Sequence, residues 1–423
     1  MSEQALRVGL LTYRGNPRCG GQGVYIRLLA RELRRMGHQV DVWSGQPYPE
    51  LTDGVGLKEV PSMDLWKDRH GAGMRLPRLK ELRDPINRAE YTDTLLGGFP
   101  EPITFCDRVA REFRTNGARD AYDVIHDNQC LGPGLLEVAG YVPLVATIHH
   151  PITRDRRIAL GATRNPFKKY GLKRWYGFIP KQVEVARKLD NIITISEAAA
   201  TDIADEFEIE RGRIRNIGNG IDLELFRPMA GVERDPNMLM TTLSADAPLK
   251  GFRFLADALA ELLRKRPQLE LTVIGSPLPK TRTAEYVRDL GLSDAIHFTG
   301  RVPGTRIVEL YARSSLAIVP SLYEGFGFPA GEAMACEVPV VSTIAGGLPE
   351  VVGPDGECGS LVQPGSATAL ATAIDELLGA PEKRRKMGRA GRRRVEELFG
   401  WRAVAGRTVD AYRTAIDRWQ GPC

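Results

Sequence analysis

The chain has 423 residues, 43% hydrophobic and 26% charged, with a formal net charge of +5. That length exceeds one ordinary core and predicts two domains of roughly 200 residues each, while so small a charge excess does not mark a nucleic-acid binder. No stretch approaches the roughly 18 uninterrupted apolar residues of a membrane span, the start lacks a signal-peptide pattern, and the six cysteines (Cys19, Cys106, Cys130, Cys336, Cys358 and Cys423) form no CxxC pair, which predicts a reduced cytoplasmic protein without structural zinc.

In chain order, Leu6 to Thr12 reads as a strand, Val24 to Met36 as a helix ended by Gly37, and Gln39 to Trp43 as the next strand. Residues 45 to 120, rich in Pro, Gly and charge, predict loops and insertions. Val124 to His126, Leu144 to Ile148 and Ile192 to Ile195 read as further buried strands. After the turn-forming run Asp222 to Pro228, the alternation repeats as strand Met238 to Leu243, helix Phe252 to Arg264, strand Leu269 to Ile274, helix Thr283 to Leu290, strand Ile296 to Thr299, helix Thr305 to Ala312 and strand Leu316 to Val319. Strands alternating with helices predict an α/β fold of two Rossmann-like domains, 1–229 and 230–404, with a C-terminal helix at about 405–423 packing back on the first. A ligand is expected in a cleft at the carboxyl ends of both sheets.

The segment Pro320 to Ala335 carries the most chemistry. A strand ends at Val319, a glycine-rich turn follows, and Pro329 stands where a helix can begin. Free N–H groups at such a turn favour an anion. Glu324 lies in the turn and Glu332 seven residues beyond it in the helix; ionised carboxylates accept hydrogen bonds from sugar or ribose hydroxyls.

This segment resembles the Glu-x7-Glu motif of family-four glycosyltransferases with the GT-B fold, and the following Val338 to Thr343 and Gly346 to Val352 are also similar to the family pattern. The resemblance is close over roughly Arg301 to Val362 and looser elsewhere. It implies a retaining, metal-independent glycosyltransferase that moves a hexose from a nucleotide-diphosphate sugar to a hydroxyl acceptor. Glu324 would contact the transferred sugar, Glu332 the nucleoside ribose, and the backbone of Gly325, Phe326, Gly327 and Phe328 the diphosphate. Lys250 resembles the family's diphosphate-binding lysine. The arginine expected five or six residues before it is replaced by Ser244 and Ala245, which makes Arg301 the candidate substitute. Gly21 and Gly23 fall in what resembles the family's glycine loop, and His149 in the Thr-x-His pattern of its active-site histidine, with His126 and Asp127 a weaker version of the same case. Asn219 to Asp222 resembles its Asn-Gly-Val-Asp turn.

Two alternatives compete. Gly20 to Tyr25 after a first strand also suits a dinucleotide-binding oxidoreductase, although Ile26 stands where a third glycine belongs and the glutamate motif would go unexplained. A non-catalytic sugar-nucleotide or glycan-binding protein on the same fold would fit the loss of the arginine. No Asp-x-Asp occurs and no His or Cys cluster has metal-ligand spacing, so no metal and no cofactor are expected. The acceptor is unidentified, but residues 154–188 carry eleven Lys or Arg against two acidic residues, with Trp175, Tyr176 and Phe178 among them, and an anionic membrane face is their expected contact.

Overall fold

The computed structural model describes residues 4–15, 21–65, 74–115, 117–243, 247–275 and 282–421. Contacts divide the chain into two compact units, one comprising 1–195, 200–217 and 405–423, the other 196–199 and 218–404. Each is built around one all-parallel sheet.

The strands of the first unit are β1 (Arg7–Thr12), β2 (Gln39–Ser44), β3 (Gly56–Glu59), β4 (Val124–Asn128), β5 (Leu144–Thr147), β6 (Ile192–Thr194) and β7 (Ile214–Asn216), in the order β3-β2-β1-β4-β5-β6-β7. Their runs of Val, Ile and Leu are buried on both faces, as helices covering a parallel sheet require. The helix Gly21–Arg35 follows β1 and turns Tyr25, Ile26, Leu29 and Leu33 inward, a stripe at helical spacing. The described residues between 45 and 120 hold more regular structure than expected. They hold β3 and the helices Pro85–Leu95 and Glu101–Thr115. The Asp84 carboxylate accepts from Ile86 N–H at the start of the former, and Ile103, Cys106, Ala110 and Phe113 form a buried stripe along the latter. The density of Pro, Gly and charge in this window masked a helical period. The last helix, Trp401–Arg418, runs into the first unit, where Tyr412 is fully buried.

The second unit holds β8 (Asp235–Thr242), β9 (Glu270–Ile274), β10 (Ile296–Gly300), β11 (Ser314–Val319), β12 (Val340–Thr343) and β13 (Gly359–Val362), in the order β10-β9-β8-β11-β12-β13. Counted from its own first strand this is 3-2-1-4-5-6, the doubly wound order, which opens a crevice at the carboxyl ends of the two strands where the order reverses. Those strands are β8 and β11 here, and β1 and β4 in the first unit.

Arg234 fastens the opposite edge of the second unit. Its guanidinium donates to four carbonyls, Tyr311 at 3.2 Å, Ser314 at 2.8 Å, Cys336 at 3.0 Å and Glu337 at 3.2 Å. These oxygens lie at the carboxyl ends of the helices Gly304–Arg313 and Phe328–Ala335, where unpaired carbonyls and the helix dipole favour a cation. Losing a hydrogen bond to a charged group costs about 1.5–3 kcal/mol. Arg234→Ala is therefore expected to lower the unfolding free energy by about 3 kcal/mol or more, and Arg234→Lys to recover less than half of it, because an ammonium cannot span a planar fork of acceptors. Urea unfolding of the three proteins checks this; a loss below about 1 kcal/mol for the alanine variant would contradict the assigned role.

Candidate functional site

In the second unit, the crevice between β8 and β11 is lined by the segments that follow those strands. The turn Pro248–Lys250 after β8 and the loop after β11 are joined through Leu249 O, which accepts from Leu322 N–H at 2.8 Å. Gly251 has φ +70, and a Cβ there would meet Pro320 O at 1.9 Å. Gly346, with φ +55, lies under Glu324, whose carbonyl oxygen would be 1.9 Å from its Cβ. Only glycine tolerates both the left-handed backbone and that closeness, so the Gly346-Gly347 pair shapes the loop from beneath.

This framework brings Lys250 and Glu324 together. Lys250 Nζ donates to Glu324 Oε2 at 2.8 Å, and Ser321 Oγ donates to the same oxygen at 3.2 Å. The carboxylate is largely enclosed, 12% exposed, while Lys250 keeps 35%, so the ammonium remains open to an incoming anion. The N–H groups of Gly325, Phe326, Gly327 and Phe328 have no hydrogen-bond partner among the described residues, and they precede or open the helix Phe328–Ala335, whose amino end carries partial positive charge. The Phe326 side chain is buried between Phe328 and Phe399, with ring centroids at 5.2 and 5.5 Å; its part in the loop is to anchor the backbone.

Glu332 differs from Glu324 in having no basic partner among the described residues. It is half-buried one turn into the helix, and burial pushes its carboxyl up to about 8. The Tyr311 phenol, near enough to feel that charge, is itself raised by burial and then by Glu332. Arg301 is exposed just after β10, at the sheet edge, and has no ion-pair or hydrogen-bond partner among the described residues; nothing joins it to Lys250 or Glu324. Ser244 and Ala245 lie outside the described residues.

In the first unit the equivalent crevice, between β1 and β4, is bridged by Asn128 at the end of β4, whose Nδ2 donates to Gln22 O at 3.2 Å. Gln22 sits between Gly21 and Gly23 at the start of the first helix, and a Cβ on Gly21 would meet nothing within 4 Å. His149, two residues past β5, is held at Nε2 by Asn128 Oδ1 at 2.8 Å and at its backbone N–H by Gln129 Oε1 at 2.7 Å. The Tyr25 ring packs edge-on against it, centroids 4.8 Å apart. His126 lies behind, between Tyr412 Oη and Thr147 Oγ1, each at 2.6 Å. Burial, then a neighbouring histidine, pushes both His126 and His149 down to about 3, so both stay neutral at ordinary pH.

The same fold assembles two features that sequence spacing did not show. Cys106, Asp127 and Cys130, all buried, bring their ligand-type atoms within 4.8 Å of one another, because the helix Glu101–Thr115 passes the end of β4. Asp127 Oδ2 accepts from Cys130 and Leu131 N–H groups, Oδ1 has no partner, and burial raises the carboxyl to about 7. The second feature concerns the basic run 154–188. Arg154, Arg157, Arg174, Arg187 and Lys188 are ion-paired with Asp202, Glu206, Asp93, Glu208 and Glu184. Among the described residues six cations of the run have no carboxylate partner, Arg156, Lys181 and a group of four, Arg164, Lys168, Lys169 and Lys173, on and just before the helix Pro166–Trp175, which also exposes Phe167 (85%) and Tyr170 (67%).

Comparison with known proteins adds to this geometry. The family model for glycosyl transferases group 1 matches residues 231–394, and that for glycosyltransferase family 4 matches residues 19–225. MMP alpha-(1->4)-mannosyltransferase of Mycolicibacterium hassiacum is 44% identical over 98% of this chain and 99% of its own length. D-inositol 3-phosphate glycosyltransferase 2 of Catenulispora acidiphila is 27% identical, covering 97% of this chain and 95% of its own. Among solved structures, sucrose-phosphate synthase from Thermosynechococcus elongatus superposes with a TM-score of 0.68 at 24% identity, over 97% of this chain and 99% of that one. Anabaena HepE, in complex with UDP and glucose, gives 0.65 at 19%, over 97% and 100%.

The raised carboxyl of Glu332 has a consequence for stability. Its folded pKa lies above the unfolded value of 4.5, so between those values the folded state binds the extra proton, and stability falls as pH rises through that window. Glu332→Gln, neutral throughout, is expected to match wild type in melting temperature near pH 5 and to exceed it increasingly toward pH 8. Thermal melts across that range check the sign; a gap that closes with rising pH would mean the carboxylate is stabilised in the fold.

Proposed function

This chain belongs to the group 1 glycosyl transferases of the GT-B fold, and on that premise we propose that it moves a mannosyl residue, with retention, from a nucleotide-diphosphate donor to the 4-hydroxyl of a sugar acceptor. The 44% relative, aligned over nearly the whole of both chains, carries the choice of mannose and of the α-(1→4) linkage. The Lys250–Glu324 pair beside unpaired loop N–H groups supports the binding of an anionic leaving group next to a sugar-binding carboxylate.

In this reading the diphosphate takes Lys250 as its counter-ion and the Gly325 to Phe328 N–H groups as donors, which frees Glu324 to accept hydrogen bonds from the mannosyl hydroxyls. Glu332 holds the ribose diol as a carboxylate. The bond from C1 to the phosphate oxygen breaks, a bond from C1 to the acceptor oxygen forms on the same face, and the acceptor's proton passes to the departing phosphate oxygen. Charge develops on that oxygen, where preorganised donors lower the barrier most. His149 meets a sugar hydroxyl, the role that its resemblance to the family's active-site histidine implies. These donors serve in place of a divalent metal, and Arg301, joined to neither Lys250 nor Glu324, does not replace at close range the charge that Ser244 and Ala245 lack.

Incubation with GDP-, UDP- and TDP-mannose and an α-(1→4)-linked manno-oligosaccharide tests the activity, with the new linkage read by NMR. A β-linked product, or no transfer from any mannosyl donor while another sugar is transferred, would overturn the assignment. Glu324→Ala is expected to lower kcat at least tenfold with little change in nucleotide affinity, and Lys250→Ala to weaken nucleoside-diphosphate binding by about tenfold or more, the scale of one lost charged hydrogen bond. Activity is expected to survive EDTA; rescue by Mg²⁺ or Mn²⁺ after its loss would reveal a metal site.

A second reading concerns where the acceptor is met. Helix Pro166–Trp175 presents unneutralised cations beside exposed aromatic rings, a combination suited to an anionic membrane face, where each basic residue is worth about 1 kcal/mol. Co-sedimentation with phosphatidylglycerol vesicles is expected at low salt and to be lost in Lys168→Glu/Lys169→Glu; absence of binding at low salt would leave a freely dissolved acceptor as the alternative.

A further inference from the structure

We propose that Asn128 is a positioning residue that fixes the tautomer of His149, holding the proton on Nε2 so that Nδ1 presents a lone pair to a sugar hydroxyl. This deepens the functional reading above and rests on it.

The argument begins with an amide whose two ends are distinguishable. Asn128 is fully buried, so both ends must find partners. One end faces the carbonyl oxygen of Gln22 at 3.2 Å, the other the Nε2 of His149 at 2.8 Å. A carbonyl can only accept, so the NH₂ must face Gln22 and the amide oxygen must face the imidazole; the flipped amide would set two oxygens against each other. An amide oxygen can only accept in turn, which requires the proton to sit on Nε2. In a neutral imidazole the other nitrogen is then an acceptor, and Nδ1 has no partner among the described residues.

The ring that carries this lone pair is held from other sides as well. Tyr25 packs edge-on against it, and the phenol of Tyr25 is 3.3 Å from Thr147 Oγ1, which also meets His126. His126 is in turn bonded to Tyr412 from the last helix. The titratable groups around His149 are thus Tyr25, His126 and the adjacent His150, none of them an acid that would hold a proton on the ring, and burial keeps the ring neutral. Since Asn128 also grips the carbonyl between Gly21 and Gly23, the glycine loop and the histidine are aligned by one side chain.

The test reads the tautomer directly, by ¹⁵N NMR of the full chain labelled at histidine, with the His149 signals identified by their loss in His149→Gln. Wild type is expected to show a protonated Nε2 and an unprotonated Nδ1. Asn128→Ala is expected to lose that preference and to lower kcat about tenfold or more, with donor KM within about twofold. Asn128→Asp keeps an acceptor toward Nε2 but adds a negative charge, which favours imidazolium. It is expected to retain the Nε2 proton and to recover activity only at higher pH, the rate falling as pH drops through the raised pKa of His149. Protonated Nδ1 in wild type, or an unchanged tautomer in Asn128→Ala, would overturn the proposal even if that variant were inactive through misfolding of part of its population. A His149→Ala variant with wild-type turnover would instead refute the role of His149 itself, while leaving the NMR result to stand as a structural fact.

Discussion

A parallel sheet in which strand order reverses leaves two neighbouring strands whose following segments depart in opposite directions, and the gap between those segments is where polar groups can gather without disrupting the core. Both units obey this constraint, and in each a hydrogen bond spans the gap close to the candidate groups. In the second unit Leu249 O meets Leu322 N–H, which aligns Lys250 with Glu324. In the first, Asn128 meets Gln22 O, which aligns the glycine loop with His149. Neither set of residues is contiguous in sequence; strand order brings them together.

Exclusion of water at these strand ends then decides what each group can do. Glu324 and Glu332 come from one motif, yet their surroundings differ, because Glu324 meets the Lys250 ammonium while burial pushes the Glu332 carboxyl up to about 8. The Glu324 carboxylate accepts from the Lys250 ammonium and the Ser321 hydroxyl. The unpaired one favours its proton until a ligand offers hydrogen bonds to the ionised form. The histidines follow the same rule with opposite sign, burial disfavouring the cation, so the first unit offers neutral rings with fixed donors and acceptors.

Much of this was legible in the residues. The alternation of short apolar runs with helical periods fixed the class, and the run from Pro320 to Ala335 announced the loop and helix that hold Glu324 and Glu332. Helix Glu101–Thr115 was hidden because composition was weighed over a whole window, although Ile103, Cys106, Ala110 and Phe113 carry the period plainly. The pairing of Lys250 with Glu324, 74 residues apart, and the role of Asn128 depend on strand order, which periodicity does not encode. Asn128 left one faint signal, as the last of three polar residues, His126, Asp127 and Asn128, that close a strand opened by Val124 and Ile125.

The arginines show why composition alone misleads about charge. Beyond Arg234, Arg384 donates to Leu377 O and Leu378 O at the end of the helix Ala367–Leu378, Arg392 to Ala335 O and Phe226 O, and Arg394 to Glu350 O and Val351 O. All of these carbonyls except that of Phe226 lie at the carboxyl ends of helices, where helix geometry leaves them unpaired. Three of the four come from the helix Pro381–Leu398, whose dense run of Arg and Lys would read in isolation as a surface for an anionic partner. Three of those arginines hold backbone carbonyls inside one unit, whereas Lys168, Lys169 and Lys173 on the helix Pro166–Trp175 have no carboxylate partner among the described residues and stand beside the exposed rings of Phe167 and Tyr170.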